Sequence, residues 1–515
     1  REPGHWRGLD AVVALGADVD LTGLEAPALV AFGAEPASSG ATPEPITLAD
    51  DTALARPLRA VKLHDAFARS APGLAASTAA ALSAATPRIL AAGADGRALW
   101  ATSSPDGLRR DRVAVLPAEL GPAEALRERL IPGRSLALLA VATLLREVTA
   151  ARSWSLPAPR AAFVLDDPNL HWPTYGHVDY ESLRAHAAEH HHHVAIATVP
   201  LDGWLVHRRA ARAFRDGARE LSLCVHGNDH TGPELWDIQN DEEAVAAAAQ
   251  ALRRIQALER RAGVPVSRVM VPPHEKVSRS SARALMALGY EAVCNTRPYP
   301  WAREIPTEGP HWLARPADAG PLTGWHAVDV VGEGLPVLLR AGFEHPREDL
   351  ALRAFLGQTL ILYGHQEDLR DGLDVLEEGA KDINKLGDVA WGPLDALSRA
   401  GVQTLRDGAT LHVRPLARRV RVEVPEGVDT LVVDRRAFAP ASAAQLEVDG
   451  RVTDGERMTL ATAGASAEVE LSLGAATPAA ANGIAAPPRR MWPLVRRVAV
   501  ELRDRADPVR TRVQH

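Results

Sequence analysis

From about residue 160 to residue 400 the sequence keeps one rhythm, in which a short apolar run is followed by a loop, an amphipathic helix and another apolar run. The stretch 241–262 shows this best, with Val245, Ala248, Leu252, Ile255 and Leu258 on one helical stripe. Asn240 or Asp241 can cap its start, and Gly263 with Pro265 ends it. A strand over 268–271 follows, then a helix over 280–288 closed by Gly289, then a strand over 292–296. Strands joined by crossover helices pair in parallel, and about 200 to 250 residues of such alternation fit a (β/α) barrel.

The flanks read differently. Residues 1–155 carry short apolar runs at 11–15, 28–33, 88–93, 98–102 and 113–116, with hairpin chemistry at Asp95-Gly96, which predicts a small α/β domain. It holds no motif to which chemistry can be assigned. The apolar run 136–145 stops at Arg146 and Glu147, well short of a membrane span, and is expected to be a buried helix. After Gly401 the period changes to two: the runs 410–413, 419–424, 430–433, 445–448 and 467–473, with turns at Glu426-Gly427 and Asp449-Gly450, predict an antiparallel β domain over 401–474. An Ala/Pro-rich linker begins at 475. It leads to a basic amphipathic tail, 489–505, with Trp492 and Pro493. Such a tail can dock on a membrane surface, on a partner or on its own chain. The expected division is thus 1–155, 156–400, 401–474 and 475–515.

Composition limits the chemistry. Of the 515 residues 46% are hydrophobic and 24% charged, the balance of a folded globular protein. The net charge of -7 argues against a nucleic-acid binder with a broad basic face. Two cysteines, Cys224 and Cys294, support neither a disulfide framework nor a thiolate zinc cage. A metal site must therefore use His, Asp or Glu. No charged leader with an apolar core follows Arg1, so a cytoplasmic location is the expectation.

Three predicted strand ends hold the residues that carry chemistry. The first, Phe163 to Asn169, ends in the adjacent carboxylates Asp166 and Asp167. Neighbours leaving a strand point opposite ways, so one can bind a metal while the other acts as a base. The second, Leu221 to His230, ends in His226 and His230, which a tight turn can aim at one cation. The third, Thr359 to Gln366, delivers His365 just after Gly364. Strand ends are where barrel active sites collect, and this set offers three ligands, a base and an acid.

Asp166-Asp167, then His226-x-x-x-His230 about 60 residues on, then Leu362-x-x-His365, resemble the motifs of NodB-type polysaccharide deacetylases, the carbohydrate esterase family 4 group. The resemblance covers about residues 160 to 370. It implies a distorted (β/α)7 barrel and a metal-dependent hydrolase of amide-linked acyl groups, with an N-acetylated sugar or polysaccharide as substrate. Carried over by position, it makes Asp166 the base, Asp167, His226 and His230 the ligands of a divalent metal, and His365 the acid. Zinc suits those ligands, as do cobalt, nickel or iron. The sequence departs from the family pattern at Pro168-Asn169, where Gly is usual. It departs again at Val271-Pro272-Pro273-His274, where the family has an Arg that orients the base. Arg268, Glu275 and Lys276 are the nearby substitutes, and no Asp-x-x-Asp-Trp segment is found.

Other residues are candidates of a second kind. His171 and Trp172 follow the carboxylate pair and are placed to line a sugar-sized cleft, and His274 and Glu275 are placed for substrate contact or for orienting the base. The run His190 to His193 lacks a carboxylate at ligand spacing and reads as an exposed helix end. Two further readings stay open: a non-catalytic carbohydrate-binding protein on the same barrel, which the missing Arg allows, and a metal hydrolase of another C–N bond.

Overall fold

The computed structural model describes residues 10–15, 24–31, 43–65, 68, 71, 73–74, 87–104, 107–115, 135–299, 324–332, 334–345, 347–435, 446–448, 451–453, 457–460, 467–473, 481–488 and 491–514. The chain divides into two compact units, one of residues 1–154, 320–322 and 346–355, the other of 155–319, 323–345 and 356–515. No helix among the described residues is long and apolar enough to cross a membrane.

The first unit is built on a seven-stranded mixed sheet. Val12–Leu15, Ala28–Ala31 and Arg110–Val113 run parallel, and Arg88–Gly93 and Ala98–Ser103 form the hairpin expected at Asp95-Gly96, where Gly96 has φ 80°. The strand predicted at 113–116 lies earlier, at Arg110–Val113. Its polar residues hid it: Arg109 and Asp111 form a buried ion pair at 2.9 Å, so charged side chains occupy positions that a hydrophobic pattern would fill. The apolar run at 136–145 is the helix Leu136–Thr149, with Leu136, Leu139, Ala140 and Leu144 buried.

The second unit holds the barrel. Its strands are β1 (Arg160–Asp166), β2 (Val194–Thr198), β3 (Leu221–His226), β4 (Val266–Val271), β5 (Ala292–Asn295), β6 (Leu335–Gly342) and β7 (Thr359–Gly364). Each pairs in parallel with the next, β7 returns to β1, and β1 also pairs with β2, which closes the ring. A two-residue strand, Ala390–Trp391, pairs with β1 at Arg160 and Ala161, where β2 does not reach, and so fills a gap in the seam. The crossover helices are α1 (Tyr180–Glu189), α2 (Arg208–Asp216), α3 (Asp241–Ala262) and α4 (Arg279–Ala287), and β7 leads to α5 (Asp374–Lys385). The α3 boundaries are those predicted, for the predicted reason: the Asn240 side chain accepts from the N–H groups of Glu242 and Glu243, and Gly263 ends the helix at φ 62°. Ala162, Val164, Ala197, Cys224, Val269, Cys294, Leu338 and Ile361 form one buried cluster.

The described residues between 402 and 473 form two four-stranded sheets around Leu411, Val413, Val420, Val422, Leu431, Val433, Val469 and Leu471. Arg419–Val424 alternates strictly, valines inward and charged residues outward. One pair departs from the expected antiparallel pattern, since Thr410–Pro415 and Thr430–Val433 are parallel. The intervening strand Arg419–Val424 sits in the other sheet, so the chain re-enters the first in its original direction. Of the two predicted turns, Gly427 lies at φ 81°, and Asp449-Gly450 falls outside the described residues. The tail is one helix, α6 (Met491–Gln514). Pro493 does not break it, because it lies in the first turn, where the missing N–H would have no partner within the helix.

Candidate metal centre at the barrel mouth

The C-terminal ends of the strands gather the predicted residues. Asp166 is the last residue of β1 and His226 the last of β3, while His274 and His365 follow β4 and β7. Asp167, His226 and His230 bring one ligand atom each to within 4.8 Å of one another. Six non-glycine residues among those described have positive φ, and four of them are here: Asp167 (86°), His230 (51°), His274 (55°) and Glu275 (60°). Such backbone costs about 1–3 kcal/mol per residue and persists only where its surroundings impose it.

Those surroundings are visible. The Nδ1 of His226 lies 2.9 Å from the carbonyl of Val271, so Nδ1–H donates there and Nε2 keeps its lone pair for a metal. Half-buried Glu234 accepts from the N–H groups of Asn228 (2.6 Å), Asp229 (3.0 Å) and His230 (3.0 Å), which fixes the loop that carries His230. Gly227 turns that loop at φ 62°, and a Cβ there would stand 2.6 Å from Pro273. Burial lowers the pKa of both imidazoles, to about 3 for His230, where the neighbouring His226 adds to the effect, so both are neutral and free to accept a cation. Burial alone would raise Asp167, but His226, His230 and Arg497 hold it well below the usual carboxylate range.

An arginine does pair with Asp166, and it comes from an unexpected place. Arg340, in the middle of β6, donates Nη1 and Nη2 to the two oxygens of Asp166, both at 2.9 Å, and both residues are buried. Burial opposes ionisation of Asp166, yet Arg340 and the nearby imidazoles of His226 and His365 bring its pKa below normal. The guanidinium also stacks on Tyr363, 3.9 Å from the ring centre. This corrects the expected substitutes. Arg268 is paired with Glu259 at 2.8 Å, and Glu275 lies 3.9 Å from Arg340, beside the pair rather than in place of the arginine. The sequence does carry a signal for Arg340, an arginine within an otherwise apolar run, Leu335 to Gly342.

Helix α6 crosses the same mouth. Its inward stripe is Pro493, Arg497 and Asp504, all buried. Arg497 pairs with Asp167 at 2.9 Å and with Asp202 at 2.6 Å, and Arg496 donates to the carbonyl of His230. Farther along, Tyr175 donates to Asp504 (2.7 Å), and Asp507 meets His177 (3.2 Å) and Arg370 (3.1 Å). The outward stripe is apolar, with Met491, Trp492, Val495, Val498 and Leu502 exposed. His171, expected at the substrate, instead ties down this helix: its Nδ1 lies 2.8 Å from Glu501 and its Nε2 2.8 Å from the carbonyl of Asp202. Trp172 is 54% exposed and stacks on His207, and Trp204 is 56% exposed against His171. His274 is exposed with its ring 5.8 Å from His230, and His365 is exposed beside Tyr363.

Seven parallel strands in a closed ring thus present an Asp pair, a His pair and a late His at their C-terminal ends. The ring with its crossover helices is a (β/α)7 barrel. No family model and no curated protein sequence matches the chain. Among solved structures, this chain is similar to the carbohydrate deacetylase Agd3 at 9% identity, over 88% of this chain and 85% of that one, with a TM-score of 0.42. A protein of Mycobacterium smegmatis assigned as a polysaccharide deacetylase is 15% identical over 48% of this chain and 93% of its own, with a TM-score of 0.32. A CE4 esterase of Streptococcus mutans is 12% identical over 45% and 85%, with a TM-score of 0.26.

The donor set fits a divalent cation. Two neutral imidazoles and one carboxylate suit zinc and its neighbours and leave coordination positions open. The guanidinium of Arg497 already sits on Asp167 at 2.9 Å, so a cation taken up there competes with it for the carboxylate. Arg497, Arg340 and Glu234 escaped the sequence reading.

Proposed function

We propose that the barrel mouth hydrolyses amide-linked acyl groups, removing acetyl from an N-acetylated sugar or glycan. The observation that carries this reading is the division of labour between adjacent carboxylates: Asp167 faces the two histidines, and Asp166 turns the other way onto Arg340. A binding site alone has no use for a second, buried carboxylate held ionised beside the first.

Asp167, His226 and His230 would hold the cation, which when bound supplies Lewis-acid charge for an acyl oxygen. Asp166, kept as a carboxylate by Arg340, takes a proton from the water that attacks the amide carbon. Arg340 fixes both oxygens of Asp166, so the base is positioned before substrate arrives. His365, exposed at the end of β7, gives a proton to the departing amine. The exposed indoles of Trp172 and Trp204 offer flat apolar faces for stacking on a sugar ring.

The test pairs metal content with acetate release from N-acetylglucosamine oligomers. Wild-type protein should hold zinc or a similar ion at the mouth and release acetate. The double variant His226→Ala, His230→Ala should lose the mouth's equivalent of metal together with acetate release. Protein that binds no metal after incubation with zinc, cobalt and nickel, or a double variant that still turns over, would contradict the reading.

A further inference from the structure

A second histidine cluster stands outside the mouth and shares no residue with it. His186 and His190 are one turn apart on α1 and at its end, so both project from one face of that helix. Glu377, in the first turn of α5, completes the group, with one ligand atom from each of the three within 4.8 Å of the others. The two imidazole rings lie 4.3 Å apart between centroids, and the Nδ1 of His190 is 3.9 Å from Glu377. The sequence shows the histidines but not their carboxylate, which the fold brings from a distant helix.

The ligands are also supported from behind. His192 is buried, and its Nε2 lies 3.0 Å from the Nδ1 of His186, which fixes the His186 ring and leaves its other nitrogen for a ligand role. The chain makes this contact by ending α1 with a left-handed residue: His191 has φ 52°, and the N–H of His192 returns to the carbonyl of Ala187 at 3.1 Å. Glycine is usual at such a position, and a histidine there carries strain. Outside the mouth only Ala60 and His191 among the described residues have positive φ without being glycine. Glu377 also accepts from Lys381, but that ammonium is 61% exposed and can swing into water.

We propose that His186, His190 and Glu377 form a second divalent-metal site, which clamps α1 to α5 and takes zinc, nickel or copper rather than magnesium or calcium. Two imidazoles select borderline metals over hard ones. Among the described residues, no carboxylate beside this site is shown held by a buried arginine as Asp166 is, so its role is to stabilise and not to catalyse.

The experiment uses the untagged full chain. Zinc is titrated by calorimetry, and bound zinc is counted by elemental analysis after dialysis. Wild type should hold two equivalents, and His190→Ala or Glu377→Gln should hold one, with acyl hydrolysis unchanged. The variant His226→Ala, His230→Ala should also hold one, and zinc should raise its Tm by a few degrees. Adding His190→Ala to it should abolish both the binding and the Tm gain. Circular dichroism and metal-free Tm values matching the wild type separate loss of a ligand from loss of the fold. A His226→Ala, His230→Ala protein that binds zinc no tighter than on the order of 100 μM would overturn the proposal. So would a zinc count that His190→Ala and Glu377→Gln leave unchanged. One equivalent that His190→Ala removes and the mouth variant retains would support this site while contradicting the mouth.

Discussion

The two histidine clusters have the same ligand chemistry, two imidazoles and one carboxylate, and differ in what surrounds them. At the mouth, Asp166 sits beside the ligand Asp167 with both oxygens on Arg340, His226 is fixed by a carbonyl, and the His230 loop is wrapped around Glu234. Between α1 and α5 the ligands are half-exposed, one ring is braced by His192, and no second carboxylate is held ionised by a buried cation. A metal site becomes catalytic through its neighbours: a base of fixed charge, an acid within reach and a cleft for substrate.

The sharpest way to break that comparison is to strip the mouth of its neighbour and leave its ligands. Arg340→Met leaves Asp166 buried without a counter-charge, which should cost about 3–5 kcal/mol of stability in urea unfolding. Burial then raises the Asp166 pKa, so a larger fraction is protonated at any acidic pH, and the acid limb of kcat/KM should move to higher pH. An unmoved limb would show that Asp166 is not the base. A smaller effect is expected from Glu234→Gln, which loosens the loop of His230. Zinc affinity at the mouth should fall about 10- to 100-fold by calorimetry, while the α1–α5 site is untouched.

Arg497 allows a test in the opposite direction. A guanidinium and a dication compete for the carboxylate of Asp167, so Arg497→Gln should tighten zinc binding at the mouth about tenfold, or about 1.4 kcal/mol. Weaker binding would mean that α6 helps to build the site rather than to cover it. The smallest effect concerns His193, whose Nδ1 and Nε2 lie 2.7 Å from the carbonyl of Arg219 and 2.8 Å from the hydroxyl of Ser222. Burial pushes its pKa down to about 4, so it stays neutral in the fold while the unfolded chain takes a proton below about pH 6.5. Its stabilising contribution is therefore complete above pH 6.5 and is lost as pH falls toward 4, by up to about 1.4 kcal/mol per unit. His193→Gln should flatten the slope of unfolding free energy between pH 7 and 5, and an unchanged slope would exclude it as the titrating group.

What the sequence made legible was whatever repeats locally. The stripe and caps of α3, the alternation of Arg419–Val424 and the apolar runs that become β1, β3 and β7 can each be read within one element. Asp166, Asp167, His226, His230 and His365 were found because each stands at the end of such a run. Arg340 was missed because its meaning depends on β6 lying two strands from β1 in the closed ring, within reach of Asp166, and periodicity says nothing of that. Arg497 and Glu377 were missed for the same reason, since each meets its partner only after elements far apart in the chain have packed. The charged strand Arg110–Val113 was displaced in the reading because buried ion pairs defeat a hydrophobic pattern.

The central claim is that Asp166 and Asp167 do different work, and Asp166→Asn tests it most directly. The variant keeps the shape of the side chain beside Arg340 and leaves all three metal ligands in place. Zinc content and acetate release from N-acetylglucosamine oligomers are measured on the same preparation. The account predicts unchanged zinc at the mouth and turnover reduced by about 10²- to 10⁴-fold. Turnover within a few-fold of wild type, or zinc lost together with activity, would contradict it.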